Sequence, residues 1–181
     1  MDVEALAIPD VKLIRPKIFE DARGSFSETY VRRRLDAVAP GVAFVQDNES
    51  VSERAFTVRG LHYQAPPHAQ AKLVRVLRGA AFDVAVDIRR ASPTYGRWAA
   101  ATLTAEDRRQ ILIPEGFLHG FMTLEPGTVL SYKVTSYYDP PSDGAVHWRS
   151  LDIDWPAGAE AATLSEKDRA APPFETFVSP F

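Results

Sequence analysis

The sequence contains no cysteine and few histidines, and both shortages narrow the chemistry that it can carry. Without a cysteine among its 181 residues, the chain can form neither disulfide bonds nor thiolate–zinc sites, and it has no cysteine nucleophile. The four histidines show neither H-x-H nor i, i+4 spacing, the patterns that would direct two imidazoles to one metal ion. We therefore expect no bound metal.

Excess positive charge and long apolar runs are also missing. The formal net charge is −3, and the isoelectric point near 5.8 gives no general attraction for a polyanion, so we expect no nucleic-acid partner. No apolar run approaches the roughly 20 residues of a membrane-spanning helix. The N-terminus also lacks the basic start and apolar stretch of a secretory signal. These absences predict a cytoplasmic chain without membrane contact.

The residues that are present predict one domain with many turns. Hydrophobic residues make up 45% of the chain, enough for one well-formed core. The 14 prolines are scattered and do not gather into a linker, and we find no repeat or change in composition. We therefore expect a single domain over residues 1–181.

Period-two alternation predicts that strands dominate this domain. In the clearest strand, Ala80 to Ile88, Val84 and Val86 share one face while Asp83 and Asp87 share the other. Further β-rich stretches cover residues 24–30, 43–50, 56–62, 72–77, 97–103, 110–113, 117–124 and 128–137. Since no βαβ alternation appears, these strands indicate an all-β sandwich or barrel. Helical signals are confined to residues 31–38 and to a short segment that opens at Ser165.

The segment from Pro114 to His119 is similar to the second half-motif of the cupin family, in which a tight turn leads into a strand with an inward-pointing histidine. The first half-motif, with its H-x-H and glutamate, is missing. The similarity implies an all-β, cupin-type double-stranded β-helix, which is a jelly-roll barrel, with a few short peripheral helices and no metal.

The segment from Val58 to Gln64 offers a candidate site residue in His62. Simple strand alternation places Gly60 on the same face as His62, with room for a ligand, and Arg59 on the opposite face. A core histidine that makes one hydrogen bond explains the pattern equally well.

Structural alternatives also stay open for three other residues. The Ser165-x-x-Asp168 pattern is typical of a helix cap. Tyr132 alternates with Leu130 and could simply fill a barrel interior. Lys72, at the start of a strand, could be an ordinary solvated lysine.

Many ordered segments between residues 8 and 173 nevertheless resemble one family, the dTDP-4-dehydrorhamnose 3,5-epimerases. The matching segments lie at residues 19–28, 46–50, 59–67, 70–74, 83–89, 92–98, 113–121, 132–133, 137–138 and 164–168. The resemblance implies inversion at C3 and C5 of dTDP-4-keto-6-deoxyglucose, a step toward dTDP-L-rhamnose. Because no redox step occurs, no cofactor is needed. The expected partners are the dTDP-linked sugar and a second copy of the chain in a homodimer.

The resemblance also implies roles for individual residues. His62 would be the base, oriented by Asp168; Tyr132 would be the acid on the opposite face of the sugar, and Lys72 would stabilise the enolate. The substrate-binding residues that it implies are Arg23, Glu28, Gln46, Asn48, Arg59, Asp83, His119, Tyr138, Asp143 and Lys167. Arg23 and Glu28 would serve the neighbouring subunit's site, while Tyr138 would line the sugar or base pocket.

Small departures from the family pattern leave alternatives. Leu118 and Ser131 flank site residues and could restrict inversion to C3 alone, as in a 3-epimerase, and Asp143 replaces a longer glutamate. A non-catalytic nucleotide-sugar-binding cupin and a metal-dependent cupin oxygenase are further alternatives. The joint presence of His62, Tyr132, Lys72 and Asp168 favours the 3,5-epimerase.

Overall fold

The computed structural model describes residues 1–181 and consists mainly of antiparallel strands. The 13 strands are β1 (Asp2–Ala5), β2 (Lys12–Arg15), β3 (Phe19–Asp21), β4 (Gly24–Phe26), β5 (Gln46–Ser52), β6 (Val58–Gln64), β7 (Lys72–Arg78), β8 (Ala80–Asp87), β9 (Trp98–Thr104), β10 (Gln110–Ile113), β11 (Phe117–Thr123), β12 (Thr128–Val134) and β13 (Asp143–Ala145). The two α-helices are α1 (Arg32–Leu35) and α2 (Glu166–Arg169), and 3-10 turns cover Pro140–Ser142, Ala159–Ala161 and Phe174–Thr176.

Two open sheets form the body of the molecule. The larger sheet has six strands in the order β1-β2-β10-β7-β12-β5, and the smaller has five in the order β13-β6-β11-β8-β9. The hairpin of β3 and β4 stands apart as a two-stranded sheet. Every pairing between named strands is antiparallel, so the all-β prediction is confirmed.

The five-stranded sheet is buried on both faces, as β8 illustrates. Its inward face contributes Ala81 and Ala85 to a core shared with residues of the six-stranded sheet. Its outward face contributes Val84 and Val86 to a second core, which the segment after β13 covers with residues such as Trp148. The predicted alternation in this strand is therefore present, and both of its faces are enclosed.

The acidic end of β8 is fixed by a buried hydrogen-bond cluster. Asp87 is fully buried and accepts hydrogen bonds from the Arg89 guanidinium and from the hydroxyls of Ser92 and Thr94. Burial works against ionisation, but these hydrogen bonds outweigh it and lower the pKa of Asp87 to about 2. The cluster ties the turn after β8 to the end of the strand.

The strand boundaries differ from the predicted ones in several places. The stretch predicted over residues 24–30 is a strand only at Gly24–Phe26, and the one predicted over residues 128–137 ends at Val134. Strands β1, β2, β3 and β13 were not predicted, because each has only three or four residues and lacks the run of three apolar residues that marked the equally short β10. No helix in the structure has the length and apolar character needed to span a membrane.

Candidate active site

A cavity of about 640 Å³ lies between the two sheets and adjoins a second cavity of about 340 Å³. His62, Lys72, Tyr132 and Lys167 line both cavities, so the two volumes form one continuous site. The lining residues come from β5, β6, β7, β11 and β12 and from the segment around α2. The site therefore draws on both sheets.

A bulge in β6 brings His62 and Arg59 to the same side of the strand. His62 pairs with His119 and Arg59 pairs with Phe121, so three steps along β6 match two steps along β11. The extra residue reverses the alternation between the two positions. The prediction that Arg59 faces away from His62 is therefore wrong, and both side chains line the cavity.

Gly60 makes the bulge possible. Its φ of +132° is disfavoured for residues with a side chain, and a Cβ at this position would lie 2.6 Å from Cα of Gly120. The close approach of the two backbones thus requires glycine in β6 at the point where the face changes.

His62 forms a close pair with Asp168. Its Nε2 lies 2.5 Å from Oδ1 of Asp168, and the His62 side chain is 31% exposed while that of Asp168 is 4% exposed. Burial opposes ionisation of Asp168, but the hydrogen bond and charge of His62, together with hydrogen bonds from Ser165 and the Gly60 backbone, outweigh it and keep the pKa of this carboxyl below its usual value. An accessible imidazole is thereby held by a buried, ionised carboxylate.

A short helix places Asp168, so the capping and pairing roles coexist. Ser165 is the N-cap of α2, and its hydroxyl accepts a hydrogen bond from the backbone N–H of Asp168. The carboxylate is left free to reach the imidazole. The Ser165-x-x-Asp168 pattern therefore caps the helix and also positions the Asp168 carboxylate beside His62.

Tyr132 and Lys72 enter the cavity from the sheet opposite His62. Tyr132 on β12 pairs with Val74 on β7, so its ring shares the inward face with Lys72 two residues earlier on β7. Burial raises the pKa of Tyr132, with Arg59 opposing, so the phenol keeps its proton. Burial also lowers the pKa of Lys72 to about 8, although Asp83 and Asp143 oppose this shift.

A second histidine–aspartate pair lies on the smaller sheet. His119 Nε2 is 3.0 Å from both carboxylate oxygens of Asp83, which is fully buried on β8. Burial lowers the pKa of His119, and Asp83 only partly offsets this, so the imidazole is neutral at neutral pH. Asp83 supports His119 from behind, whereas His119 itself reaches the cavity wall.

The nucleotide-binding candidates are spread over both cavities, with Arg59 on the larger one and Tyr138 and Asp143 on the smaller one. Arg59 donates to the Val51 carbonyl oxygen and the Ser52 hydroxyl and forms no ion pair, so its charge stays available to an anion. Lys167 is hydrogen-bonded to Asp143, which also accepts a hydrogen bond from the Tyr138 hydroxyl at 3.2 Å. Arg59 and Lys167 thus supply two cationic groups to the wall of the larger cavity.

Strand β5 contributes a polar inner face that the sequence analysis recognised only in part. Gln46 and Asn48 line the smaller cavity and are joined by a hydrogen bond, as the matched segment implied that both would serve the site. Ser50, two residues further along, lines the larger cavity with a buried hydroxyl that has no partner. The alternation of polar Gln46, Asn48 and Ser50 was the signal that could have identified it.

Two predicted residues lie outside the cavity of this chain. Arg23 sits in the hairpin between β3 and β4, 90% exposed, and pairs with Asp21 at 2.6 Å. Glu28 forms an ion pair with Arg34 at 2.7 Å. The structure therefore brings together every predicted site residue except Arg23 and Glu28, with Asp83 one layer behind the wall.

The two open antiparallel sheets and the enclosed His–Asp pair facing a tyrosine define a cupin-type protein with a site suited to proton transfer. A family model described as dTDP-4-dehydrorhamnose 3,5-epimerase matches residues 5–176. The chain belongs to the dTDP-4-dehydrorhamnose 3,5-epimerase family, whose members are isomerases. The family predicted from the sequence is thus confirmed.

Individual members of the family are similar to this chain over nearly its whole length. The dTDP-4-dehydrorhamnose 3,5-epimerase of Sinorhizobium fredii is 49% identical over 95% of this chain and 89% of its own length. The enzyme of the same name from Salmonella typhimurium is 47% identical over 95% of this chain and 94% of its own length. The dTDP-6-deoxy-D-glucose-3,5-epimerase of Legionella pneumophila, solved with dTDP-4-keto-L-rhamnose, superposes with a TM-score of 0.93 at 43% identity, covering 98% of this chain and 94% of that one. These similarities confirm the cupin-type fold class.

Proposed function

We propose that the chain converts dTDP-4-keto-6-deoxyglucose to dTDP-4-dehydro-L-rhamnose by inverting C3 and C5. The observation that carries this proposal is the placement of the His62–Asp168 pair and Tyr132 on opposite walls of one cavity. Each inversion needs a base on one face of the sugar ring and an acid on the other. An arrangement with both groups on one wall could exchange a proton but would not invert the carbon.

His62 begins each inversion by removing a carbon-bound proton. The hydrogen bond from its Nε2–H to the ionised Asp168 fixes the tautomer and leaves Nδ1 free to accept that proton. The electron pair of the broken C–H bond moves toward the C4 ketone and forms an enolate. Asp168 then stabilises the imidazolium that the transfer creates.

Lys72 provides the cationic group for the enolate oxygen, and the His119–Asp83 pair completes the wall beside His62. A protonated Lys72 lowers the barrier as negative charge develops at this oxygen, most effectively in a site from which water is excluded. Asp83 lies behind and holds His119 in place through the two 3.0 Å contacts. Lys72 is positioned before substrate arrives, so little reorganisation accompanies the charge movement.

Tyr132 completes the inversion from the opposite wall. Its phenol donates a proton to the enolate carbon, and the C4 ketone re-forms. Water then returns a proton to the phenolate while His62 releases its proton to solvent, so the net reaction is an isomerisation. The raised pKa of Tyr132 keeps the phenol protonated before each turnover.

The nucleotide end of the substrate occupies the cationic side of the site. The unpaired guanidinium of Arg59 suits bidentate contact with the diphosphate, and Lys167 adds a second cation. The exposed ring of Tyr138 offers a flat surface for the thymine, and Gln46 and Asn48 present amide groups beside it.

We also propose that the chain works as a homodimer in which the β3–β4 hairpin serves the neighbouring subunit. The exposure of Arg23 and of the aromatic residues Phe19 and Phe26 on this hairpin supports this arrangement. Mixing inactive Arg23→Ala and His62→Ala chains after joint unfolding and refolding should restore activity in mixed dimers. No restoration in mixtures shown to form mixed dimers would place Arg23 outside the partner's site.

Proton NMR in deuterated buffer tests the reaction directly. We expect solvent deuterium at both C3 and C5 of dTDP-4-keto-6-deoxyglucose, and trapping of the product by a rhamnose-forming reductase. Deuterium at C3 alone would select the 3-epimerase and direct attention to Leu118 and Ser131. Deuterium at neither carbon would refute epimerisation of this substrate.

A further inference from the structure

The segment that carries Tyr138 has no strand partner of its own. Strand β12 ends at Val134, and the last backbone hydrogen bond of this run joins Thr135 N–H to the Ala71 carbonyl oxygen. No backbone–backbone hydrogen bond involves Ser136, Tyr137 or Tyr138. Tyr137 and Tyr138 are 69% and 58% exposed, so apolar packing does little to fix their side chains. Something else must hold this segment in place.

Glutamine side chains take the place of the missing strand partner. Gln70 Nε2 donates to the Ser136 carbonyl oxygen at 2.7 Å, and Gln64 Nε2 donates to the Tyr137 carbonyl oxygen at 3.0 Å. In the other direction, Gln46 Oε1 accepts from Tyr138 N–H at 3.2 Å and Gln64 Oε1 accepts from Asp139 N–H at 3.0 Å. We call Gln46, Gln64 and Gln70 the glutamine clamp.

The clamp uses three of the four glutamines in the chain. Gln64 is the central member, because it is buried and bonds the backbone on both sides of Tyr138. Its second N–H donates to the His68 carbonyl oxygen at 2.5 Å. This hydrogen bond joins the loop after β6 to the same side chain. The fourth glutamine, Gln110, makes the same kind of bond elsewhere, to the Thr29 carbonyl oxygen at 2.6 Å.

From these contacts we infer that Gln64 and Gln70 are positioning residues that hold the Tyr138 ring in the orientation that receives the nucleobase. This inference rests on the proposed function and extends it to residues that do not themselves carry out the chemistry. Hydrogen bonds to the backbone around Tyr138 order the segment that carries the ring before the ligand arrives, so less conformational entropy is lost on binding. The clamp therefore acts on affinity and leaves the proton transfers unchanged.

The partly buried Gln70 provides the main test, because truncating it disturbs no core packing. Gln70→Ala removes one hydrogen bond to the Ser136 carbonyl oxygen, so we expect it to weaken binding of thymidine diphosphate by about 2- to 10-fold. In turnover, KM should rise by a similar factor while kcat stays within about twofold. Isothermal titration calorimetry and the NMR assay measure these quantities separately.

A double-variant comparison separates positioning from general stabilisation. In a Tyr138→Ala background there is no ring to position, so Gln70→Ala should have no further effect on the dissociation constant. Gln64→Glu provides a second variant, because it keeps the acceptor for Asp139 N–H but loses both donors; it should couple to Tyr138 in the same way. Gln110→Glu is the matched control and should show no coupling to Tyr138.

The outcomes distinguish this inference from the proposed function. If the unaltered chain neither epimerises the nucleotide sugar nor binds thymidine diphosphate, the proposed function fails. If it does both, but Gln70→Ala and Gln64→Glu weaken binding equally with and without the Tyr138 ring, only the positioning role is wrong. A fall in kcat at constant KM would overturn it as well.

Discussion

Nε2 of His62 lies 2.5 Å from Oδ1 of Asp168, which is 106 positions further along the chain. The two residues come from different structural contexts, a bulged strand and a four-residue helix, and each context has its own local requirement. Gly60 is needed to turn His62 toward the cavity, and the Ser165 cap is needed to set Asp168. The pair can therefore be weakened from either side.

Replacing the carboxylate should disable the base without disturbing the fold. Asp168→Asn keeps the shape but removes the charge that fixes the tautomer and stabilises the imidazolium, so we expect kcat to fall by roughly 10²- to 10⁴-fold. Ser165→Ala is the comparison variant: it removes the cap while keeping the carboxylate, so it should cost about 1 kcal/mol of helix stability and lower kcat much less than Asp168→Asn. Equal losses of kcat in the two variants would contradict the assigned role of Asp168.

Removing the base and removing the acid should have unequal effects. His62→Ala should abolish deuterium exchange at both C3 and C5, because it removes the imidazole that takes the proton at each carbon. Tyr132→Phe should retain some exchange but fail to invert the carbon, because the opposite face has lost its proton donor. NMR of the recovered sugar measures exchange and inversion together. Full exchange in His62→Ala would exclude His62 as the base.

The ionisation of Lys72 should set an alkaline limit on activity. Burial lowers its pKa to about 8, so the ammonium group is lost as the pH rises through that value and its stabilisation of the enolate is lost with it. We expect kcat/KM to decline above about pH 8. Lys72→Arg keeps its charge throughout this range, so the residual activity of that variant should show no such decline. If kcat/KM of Lys72→Arg still declined above about pH 8, the decline would have to come from the titration of another group.

Gly60→Ala should destabilise the fold through a direct backbone clash. The new Cβ would meet Cα of Gly120 at 2.6 Å in addition to the strain at φ +132°, so we expect a loss of about 2–4 kcal/mol in the free energy of unfolding. Gly41→Ala is the matched control, since Gly41 also has a positive φ but no atom within 4 Å of its Cβ position. That variant should lose only about 1 kcal/mol. Denaturant titrations compare the two.

The buried cluster around Asp87 should make the free energy of unfolding depend on pH in the acidic range. Because its pKa is lowered to about 2, Asp87 stabilises the folded state above its unfolded pKa near 4, and this contribution is lost as the pH falls through the folded value. Asp87→Asn removes the titrating group. The difference in unfolding free energy between the two chains, about 2 kcal/mol at neutral pH, should shrink between about pH 4 and pH 2. A difference that stays constant over this range would contradict the prediction.

The strands of the two sheets and the residues of the site were predictable to different degrees. The alternation in β8 was clear because its two faces carry distinct residue types. The alternation around Gly60 gave the wrong face for Arg59, because a bulge adds one residue to β6 between Arg59 and His62. A bulge depends on the contact with Gly120 on another strand, so local periodicity cannot show it. The same limit applies wherever a partner strand decides the register.

The site residues needed more than local pattern. Taken alone, Asp168 reads as a cap and Tyr132 as a core residue, and both interpretations are structurally correct descriptions of what these residues also do. Only the joint resemblance of many segments predicted their chemistry. The glutamine clamp was not predicted at all, because its members are scattered over residues 46–70 and contact a segment without regular structure.

The helix that delivers Asp168 is only four residues long, so the carboxylate rests on one of the smallest ordered elements of the molecule. Short elements with few backbone hydrogen bonds open at lower free energy than the surrounding sheets. When α2 frays, the imidazole loses its carboxylate while the two sheets remain folded. On gentle heating, kcat should therefore fall at a lower temperature than that at which the molecule unfolds. The backbone amide hydrogen of Asp168 should also exchange with solvent faster than the amide hydrogens of β11.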